Sequence, residues 1–433
     1  MDLLTVNDRA GEYPTSYYTA SSKPLDKFPS LKGAETCDVC VVGAGYTGLS
    51  TALHLAERGY DVILLEAQRV GFGASGRNGG QVGSGQRVEQ DDLEKMVGKD
   101  HARQLWDMGE ESKSTVRDLI AKHGIACGYK PGVMHAELKR KHLHHTQAYV
   151  DKLQTEYGYD QIAYMDEASL RSAVGSDAYC GGSMDWGAGH LHPLNFALGL
   201  ARACVSAGVR IFEETRVTDI KRGEPAEVIS ENGNVTAKFV ALGANGYLGN
   251  LEPQVAARVM PINNYIVATE PLGEDMARNL IRDDVAIADS KFVVNYFRLS
   301  EDNRMLFGGG ESYGYKFPKN LAKKARKPML EIYPQLAHAR IDYAWGGTLG
   351  ITMNRMPDFR RLAPNILSAS GYSGHGVAMA TLAGKLIAEA ISGTAERFDI
   401  MAKVPTNRFP GGASMRTPLL ILAMLWFSLR DRV

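Results

Sequence analysis

The chain has 433 residues, 49 basic and 49 acidic, so its formal net charge is zero. Its length exceeds the roughly 250 to 300 residues at which a single hydrophobic core stops growing, and two domains are expected. The balanced charge excludes a global field that would draw the protein to nucleic acid, and it favours a small-molecule partner.

The first 35 residues are rich in Tyr, Ser, Thr and Pro, and they predict an extension that wraps the surface of a domain. Residues 1–14 lack the basic flank and apolar run of a signal peptide, so we expect a cytoplasmic protein. The five cysteines are too sparse for a disulfide framework. Cys37 and Cys40 lie in an apolar run and are interpreted as buried small hydrophobic residues.

The pattern from residue 37 to residue 66 predicts a strand, a helix and a second strand, at 37–42, 46–58 and 62–66. Gly43, Gly45 and Gly48 form the motif G-x-G-x-x-G between the first strand and the helix, a context that predicts a dinucleotide site. The helix N-terminus would then face the phosphates. Glu66 ends the second strand, where a carboxylate accepts hydrogen bonds from ribose hydroxyls and disfavours a 2′-phosphate.

The glycine motif alone does not separate NAD from FAD. The run Gly71–Gly80 favours FAD, because small residues allow backbone amides to approach a large planar ring. A flexible surface loop has a similar composition and stays the alternative at this point.

Further along, residues 93–173 are charged and helical in pattern, and 239–246 predict a strand followed by a glycine turn. Segments 261–269 and 292–310 alternate like strands of a mixed sheet. A third strand-like return at 366–373 precedes an alanine-rich helix over 376–391. The chain thus leaves the nucleotide-binding fold and comes back to it.

These elements predict an α/β protein with a discontinuous, Rossmann-like FAD-binding domain and a second α+β substrate domain built on a mixed sheet. The predicted division has four parts: an N-terminal extension (1–35), the FAD-binding domain (36–92, 183–252 and 342–398), the substrate domain (93–182 and 253–341) and a C-terminal tail (399–433) that contains an apolar helix (418–427).

The apolar run Pro418–Phe427 is about half as long as a bilayer crossing requires, so no transmembrane span is expected there. Arg416, Arg430 and Arg432 surround it. The segment is expected to dock on its own protein or on a partner subunit, with a membrane surface as the alternative. His142, His144 and His145 follow Lys139–Lys141, a pattern typical of a solvated helix face, and no metal is assigned to them.

Three motifs carry a resemblance to a known family: V-V-G-A-G-Y-T-G, G-F-G-A-S-G-R-N-G-G and G-Y-S-G-H-G-V. Together with shorter matches over nearly the whole chain, they resemble the D-amino acid oxidase superfamily, in its glycine oxidase and sarcosine oxidase branch. The resemblance implies that FAD is the cofactor. The implied FAD contacts are Gly43, Gly45, Tyr46, Thr47, Gly48, Glu66, Ala67, Gly73, Ala74, Ser75, Gly76, Asn78, Gly79, Gly80, Val217, Gly243, Ala244, Gly374, His375, Gly376 and Val377.

Two departures from the family pattern refine this expectation. Gly73 stands where related dehydrogenases carry a tethering histidine, and the last cysteine is Cys204, so non-covalent FAD is expected. The segment Trp345–Thr348 lacks the arginine with which glycine oxidases bind a substrate carboxylate. An amine is therefore favoured over an ordinary α-amino acid.

The resemblance implies oxidative deamination of a γ-glutamylated amine to the aldehyde, with release of ammonia and with oxygen reduced to hydrogen peroxide. Two alternatives stay open: an oxidoreductase for another secondary amine, imino acid or polyamine that passes electrons to a carrier, and a flavin-bearing docking subunit with little activity alone. Candidate catalytic residues are His375, Tyr296, Arg298 and Trp345. Further aromatic walls of the substrate pocket are expected from Tyr265, Phe297, Tyr343 and Tyr372.

Overall fold

The computed structural model describes residues 2–312 and 314–411, which form two β-sheets and the helices that cover them. The strands are β1 (Gly33–Val42), β2 (Val62–Leu65), β3 (Gln81–Val82), β4 (Lys130–Glu137), β5 (Ile162–Met165), β6 (Gly181–His190), β7 (Arg210–Phe212), β8 (Val217–Lys221), β9 (Ala226–Ser230), β10 (Gly233–Leu242), β11 (Met260–Thr269), β12 (Ala286–Asp289), β13 (Tyr296–Leu299), β14 (Met305–Ser312), β15 (Ile341–Ile351), β16 (Asp358–Ala363) and β17 (Ile366–Ser370).

The α-helices of the described residues are α1 (Tyr17–Ser21), α2 (Tyr46–Ala56), α3 (Gln90–Val97), α4 (Lys99–His123), α5 (Leu143–Thr155), α6 (Glu167–Ala173), α7 (Pro193–Ser206), α8 (Pro253–Ala256), α9 (Glu274–Leu280), α10 (Leu321–Ile332), α11 (Gly376–Ile391) and α12 (Glu396–Ala402). The longest, α4, belongs to the charged segment in which helix was predicted.

The first sheet has the strand order β16-β17-β10-β1-β2-β7, with β8 and β9 attached through β10. Its central strands β10, β1 and β2 are parallel to one another. Alternate residues of β1 point to opposite faces, so Val39 and Val41 pack with helices α2, α7 and α11, while Cys40 and Val42 join a second core with β9. The predicted strand–helix–strand unit and the α/β fold class are confirmed.

The second sheet has the strand order β15-β11-β14-β13-β12-β4-β6-β3 and contains parallel and antiparallel pairs, as a mixed sheet does. One face is apolar: Met134, Ile287, Phe297 and Phe307 pack in a core with helices α6, α9 and α10. Neighbouring positions in the same strands point the other way. That other face is the one available for a ligand.

Two local predictions are corrected by the structure. Segment 93–173 is helical only in part, because β4 and β5 lie within it. The strand pattern of β4 is hard to detect in the sequence, because polar residues such as His135 and Glu137 occupy alternate positions. The N-terminal extension also does more than wrap a surface: Tyr17 and Tyr18 are buried in the main core, where their large apolar rings stabilise it.

The division into domains stays a prediction. Strand β3 and most of β6 and β15 fall within segments predicted for the FAD-binding domain, yet all three pair in the second sheet. The apolar tail segment 418–427 lies outside the described residues. Within residues 2–312 and 314–411, no helix is both long enough and apolar enough to cross a bilayer.

Candidate functional site

A cleft of about 1770 Å³ runs from the carboxyl ends of β1, β2 and β10 to the polar face of the second sheet. Ordinary small-ligand sites occupy about 300 to 1,000 Å³, so this cleft has room for a dinucleotide and a substrate together. Both sheets contribute to its lining, which places the predicted cofactor motif and the predicted substrate sheet on one continuous cavity.

The glycine motif forms the turn between β1 and the first residue of α2. Gly43 has a φ of 101°, in the region that favours glycine, and its N–H donates to the Leu65 carbonyl at 2.8 Å. A Cβ on Gly45 would stand 2.9 Å from Ser75 Oγ, and a Cβ on Gly48 would collide with the Gly43 carbonyl oxygen. The turn therefore leaves the start of α2 open to phosphate, whose negative charge a helix N-terminus favours.

Glu66 lies at the end of β2, and two backbone amides fix its carboxylate. The Ala44 N–H donates to Oε2 at 2.7 Å and the Gln68 N–H donates to Oε1 at 2.9 Å. Burial raises the pKa of Glu66 to about 7, although these amide bonds oppose the shift. The carboxylate is thus positioned in the cleft with acceptor capacity to spare, as ribose hydroxyls require.

The small-residue run adopts a folded loop rather than an open surface loop. Ser75 Oγ accepts a hydrogen bond from the Tyr46 N–H at 3.0 Å, which ties the loop to the start of α2. Asn78 holds the loop internally: its Oδ1 accepts from the Gly80 N–H at 2.7 Å and its Nδ2 donates to the Ala74 carbonyl at 3.0 Å. Such a loop presents ordered backbone to the cleft.

Tyr296 closes the cleft opposite this loop. A Cβ on Gly79 would stand 2.6 Å from Tyr296 Cδ2, so glycine is needed there for the two elements to approach. The Tyr296 hydroxyl donates to Asn264 Oδ1 on the neighbouring sheet. The ring is therefore held in one orientation at the wall of the cavity.

His375 lies in the cleft at the residue that precedes α11. Its Nε2 is 3.2 Å from the Gly85 carbonyl oxygen, which only accepts, so Nε2 carries the proton. Burial, helped by the charge of Arg87, lowers the pKa of His375 to about 4. At neutral pH the ring is uncharged, and Nδ1 is a hydrogen-bond acceptor.

The structure brings most of the predicted cofactor residues together. Those that line the cleft are Gly43, Gly45, Tyr46, Thr47, Glu66, Ala67, Gly73, Ala74, Ser75, Asn78, Gly79, Val217, Gly243, Ala244, Gly374, His375, Gly376 and Val377. Gly48, Gly76 and Gly80 do not line it and instead allow close backbone packing behind it. The arrangement fits FAD, because the glycine turn, the Glu66 carboxylate and the small-residue loop all line this one cleft.

Two of the predicted catalytic residues, Arg298 and Trp345, do not line the cleft. Arg298 is buried behind the cleft, where Nε donates to the Gly79 carbonyl at 2.9 Å and Nη2 donates to the Leu191 carbonyl at 3.0 Å. Trp345 is also behind the wall, and its Nε1 donates to the Arg77 carbonyl at 3.1 Å. Both side chains hydrogen-bond to the loop Gly71–Gly80, which we name the flavin loop after the cofactor predicted to lie against it. Apart from a bond from Arg298 to the Tyr18 hydroxyl, their side-chain N–H groups donate to backbone carbonyls.

Some of the aromatic residues predicted to form walls of the substrate pocket line the cleft, and others do not. Tyr296 and Tyr372 line the cleft, and the Tyr372 hydroxyl is 2.7 Å from Thr47 Oγ1. Tyr265 and Phe297 belong to the core behind the second sheet, and Tyr343 packs edge-on against Tyr17. Tyr265 and Phe297 are therefore corrected to core positions, and Tyr343 is corrected to a half-buried position outside the cleft lining.

A polar lobe at the far end of the cleft was missed in the sequence. Glu137 accepts from Thr146 Oγ1 at 2.9 Å and lies 3.2 Å from His135 Nε2 and 3.4 Å from His142 Nδ1. Burial alone would raise its pKa, but hydrogen bonds led by His135 outweigh burial and lower the pKa of Glu137 to about 2. We name Glu137, His135, His142 and Thr146 the far lobe.

Two of the three histidines reach the cleft, while His144 and His145 are exposed, as the prediction of a solvated helix face requires. His142 and His145 line the cleft, and His145 Nε2 lies 2.8 Å from Glu89 Oε2. Their position in the cleft could not be recognised from the sequence, because the charged run Lys139–Lys141 before them indicates solvent exposure. Lys141 is indeed exposed. The sequence pattern that could have indicated the far lobe is the alternation of Val133, His135 and Glu137, which places all three on one face of β4.

Comparison with known proteins agrees with this geometry. Residues 38–390 match the sequence profile of the family described as FAD dependent oxidoreductase. Gamma-glutamylputrescine oxidoreductase of Escherichia coli (strain K12) is 44% identical over 423 residues, which cover 98% of this chain and 99% of the relative.

Two solved structures share the fold. Glycine oxidase from Geobacillus kaustophilus superposes with a TM-score of 0.71 at 18% identity, covering 83% of this chain and 95% of that one. Glycine oxidase from Bacillus cereus gives a TM-score of 0.70 at 19% identity, covering 86% and 100%. At these identities the likeness supports the fold alone.

Proposed function

The chain belongs to the family of FAD-dependent oxidoreductases, and from that premise we propose that it oxidises a γ-glutamylated amine, with gamma-glutamylputrescine as the first candidate. The proposed reaction converts R–CH2–NH3⁺, O2 and H2O to the aldehyde R–CHO, NH4⁺ and H2O2. When bound, the flavin supplies the two-electron chemistry. The protein binds, orients and desolvates the amine.

The observation that carries the proposal is the single cleft that joins the dinucleotide turn, the acceptor atom of His375 and the far lobe. A primary alkylammonium has a pKa near that of lysine, about 10.4, and its nitrogen lone pair must be free before oxidation. Aromatic walls from Tyr296 and Tyr372 disfavour the cation by keeping water away. His375 Nδ1 then accepts a hydrogen bond from the neutral amine and orients it.

The length of the cleft supports a substrate with a distal polar group. His135 on β4 pairs with Ala288 on β12, and Ala288 pairs with Tyr296 on β13. Tyr296 is therefore two strand spacings, each about 4.8 Å, from His135 in the far lobe. Two residues along β4, the Cα of Glu137 is then about 12 Å from that of Tyr296. An extended γ-glutamyl chain of about nine bonds from amine nitrogen to α-carbon spans roughly 11 Å.

The charges along this path suit the glutamyl end. Glu137 is a buried, ionised carboxylate that disfavours a plain apolar tail and suits an α-ammonium group. Arg87 and Arg355 also line the cleft, with Arg87 Nε donating to the Ser373 carbonyl beside His375, and their positive charge favours entry of a substrate with an α-carboxylate. A free diamine offers neither of these distal groups. The name of the Escherichia coli relative points to the same substrate.

Turnover under air tests the proposal. The purified holoenzyme is given gamma-glutamylputrescine, putrescine, sarcosine or glycine, and aldehyde, ammonium and peroxide are measured together. Equal amounts of the three products from gamma-glutamylputrescine alone support the proposal. Aldehyde without peroxide, restored by an artificial electron carrier, would favour the carrier-linked oxidoreductase. A chain that oxidises none of the four amines would instead fit the docking-subunit hypothesis.

A further inference from the structure

The N-terminal segment runs along one edge of the cleft. Asp2, Leu3 and Leu4 are part of the cavity lining, at the end that also contains Glu66 and Val217. Leu3 and Leu4 are only partly buried, although they lie within a folded protein. Apolar side chains at this position face the part of the cavity where the dinucleotide turn and Glu66 place an adenosine.

The first attachment of this segment is next to Glu66. Gln68 is 2% exposed, and its side-chain Nε2 donates to the Leu4 carbonyl at 2.8 Å. Its Oε1 accepts from the Gly11 N–H at 2.6 Å. Asp2 forms an ion pair with Arg216, the residue before Val217. The segment is thus fastened on both sides of the adenosine end.

The second attachment is a buried ion pair with the flavin loop. Arg77 Nη1 lies 3.0 Å from Asp8 Oδ2, and the two side chains are 1% and 10% exposed. The guanidinium stacks on the Phe72 ring at 4.4 Å. Because a buried guanidinium is costly without its counter-ion, Asp8 couples the N-terminal segment to the loop that contains Ser75 and Asn78.

The third attachment is on the other wall of the cleft. Asn7 Nδ2 donates to the Tyr315 carbonyl at 2.7 Å, and the Phe317 N–H donates to Asn7 Oδ1 at 2.7 Å. Tyr315 itself lines the cleft. Residues 2–8 therefore connect the adenosine end, the flavin loop and the segment that follows the second sheet's strand β14.

We propose that residues 2–8 form a clasp that closes over the adenosine diphosphate half of bound FAD. Leu3 and Leu4 cover the adenosine, and the attachments of Leu4, Asn7 and Asp8 hold the segment closed. The clasp retains the cofactor through burial rather than through a covalent bond, and FAD leaves only after the segment detaches. This inference depends on the cofactor alone and is independent of the substrate.

The test uses ADP and FMN as separate probes of the two halves of the cofactor. Each is titrated calorimetrically into the apoprotein, and FAD release from the holoenzyme is followed by the rise in flavin fluorescence. The double variant Leu3→Ala/Leu4→Ala is expected to bind ADP about tenfold more weakly and to release FAD about tenfold faster, while FMN affinity is unchanged. Arg9→Ala is the control, because that side chain is 85% exposed and its ion-pair partner is Glu12, outside the clasp.

A second variant detaches the clasp without changing a residue of the cleft lining. Asp8→Asn removes the counter-ion of Arg77 and is expected to accelerate FAD release in the same direction. The proposal is overturned if ADP affinity and FAD release in the double variant stay within twofold of the native values. It is also overturned if FMN affinity falls as much as ADP affinity, because that result indicates general loosening of the fold.

Discussion

Replacing Glu66 by Gln should have two separable effects. The first concerns the apoprotein. The pKa of Glu66 rises from an ordinary value near 4.5 to about 7 on folding, so between these pH values the folded state binds the proton more tightly than the unfolded state. The favourable contribution of the protonated form is therefore present below about pH 4.5 and lost as pH rises through about 7.

The magnitude follows from the shift. A change of about 2.5 pKa units corresponds to roughly 3 kcal/mol as an upper limit, at about 1.36 kcal/mol per unit. The native apoprotein should thus lose up to about 3 kcal/mol of stability relative to Glu66→Gln between pH 5 and pH 8. The second effect is on cofactor binding: a hydrogen bond to a charged acceptor contributes about 1.5 to 3 kcal/mol, so the FAD Kd should rise about tenfold to 150-fold.

Urea unfolding of both apoproteins at pH 5 and pH 8, with FAD titration at pH 8, measures the two effects. Asp61→Asn is the matched control, because Asp61 lies at the opposite end of β2, is half exposed and pairs with Arg210. The account of Glu66 as a buried carboxyl that binds the FAD ribose is wrong if two results occur together. The stability difference between native protein and Glu66→Gln would not depend on pH, and the FAD Kd would be unchanged.

Three further outcomes are expected. His375→Ala should slow flavin reduction at saturating amine about 10- to 100-fold, and an unaltered rate would remove His375 from the site. The rate of the native enzyme should show no titration step from His375 between pH 6 and 9, because the pKa of His375 is about 4. Gly79→Ala should weaken FAD binding, since the new Cβ meets the Tyr296 ring at 2.6 Å, whereas Gly314→Ala, with nothing within 4 Å, should not; equal FAD affinities for the two variants would contradict the packing argument. Glu137→Gln should raise KM for gamma-glutamylputrescine about tenfold and leave the weak oxidation of putrescine unchanged; proportional losses on both amines would remove Glu137 from recognition of the distal group.

The nucleotide-binding elements could be predicted from sequence because local chemistry determines them. The turn at Gly43, the acid at Glu66 and the helix Gly376–Ile391 each depend on residues close in the chain, and the structure places them as expected. The positions of these elements follow from local backbone geometry and from the spacing of apolar residues, and neither depends on contacts with distant parts of the chain.

The substrate side could not be predicted in the same way, because tertiary contacts decide which side chains of a strand reach the cleft. Arg298 and Tyr296 lie two residues apart on β13 and share a face, yet Arg298 ends on backbone carbonyls and Tyr296 reaches the cavity. Glu137 and His142 come together only when β4 and the turn after it fold. The clasp likewise depends on contacts with residues 68, 77 and 315, far away in the chain.

Anaerobic flavin reduction tests the central proposal most directly. The oxidised holoenzyme is mixed without oxygen with gamma-glutamylputrescine, putrescine, sarcosine or glycine, and the loss of flavin absorbance is followed in time. Rapid and complete bleaching by gamma-glutamylputrescine, with slow or no bleaching by the other three, is the predicted result. Faster bleaching by sarcosine or glycine would contradict the proposed substrate while leaving the family and the cofactor site intact.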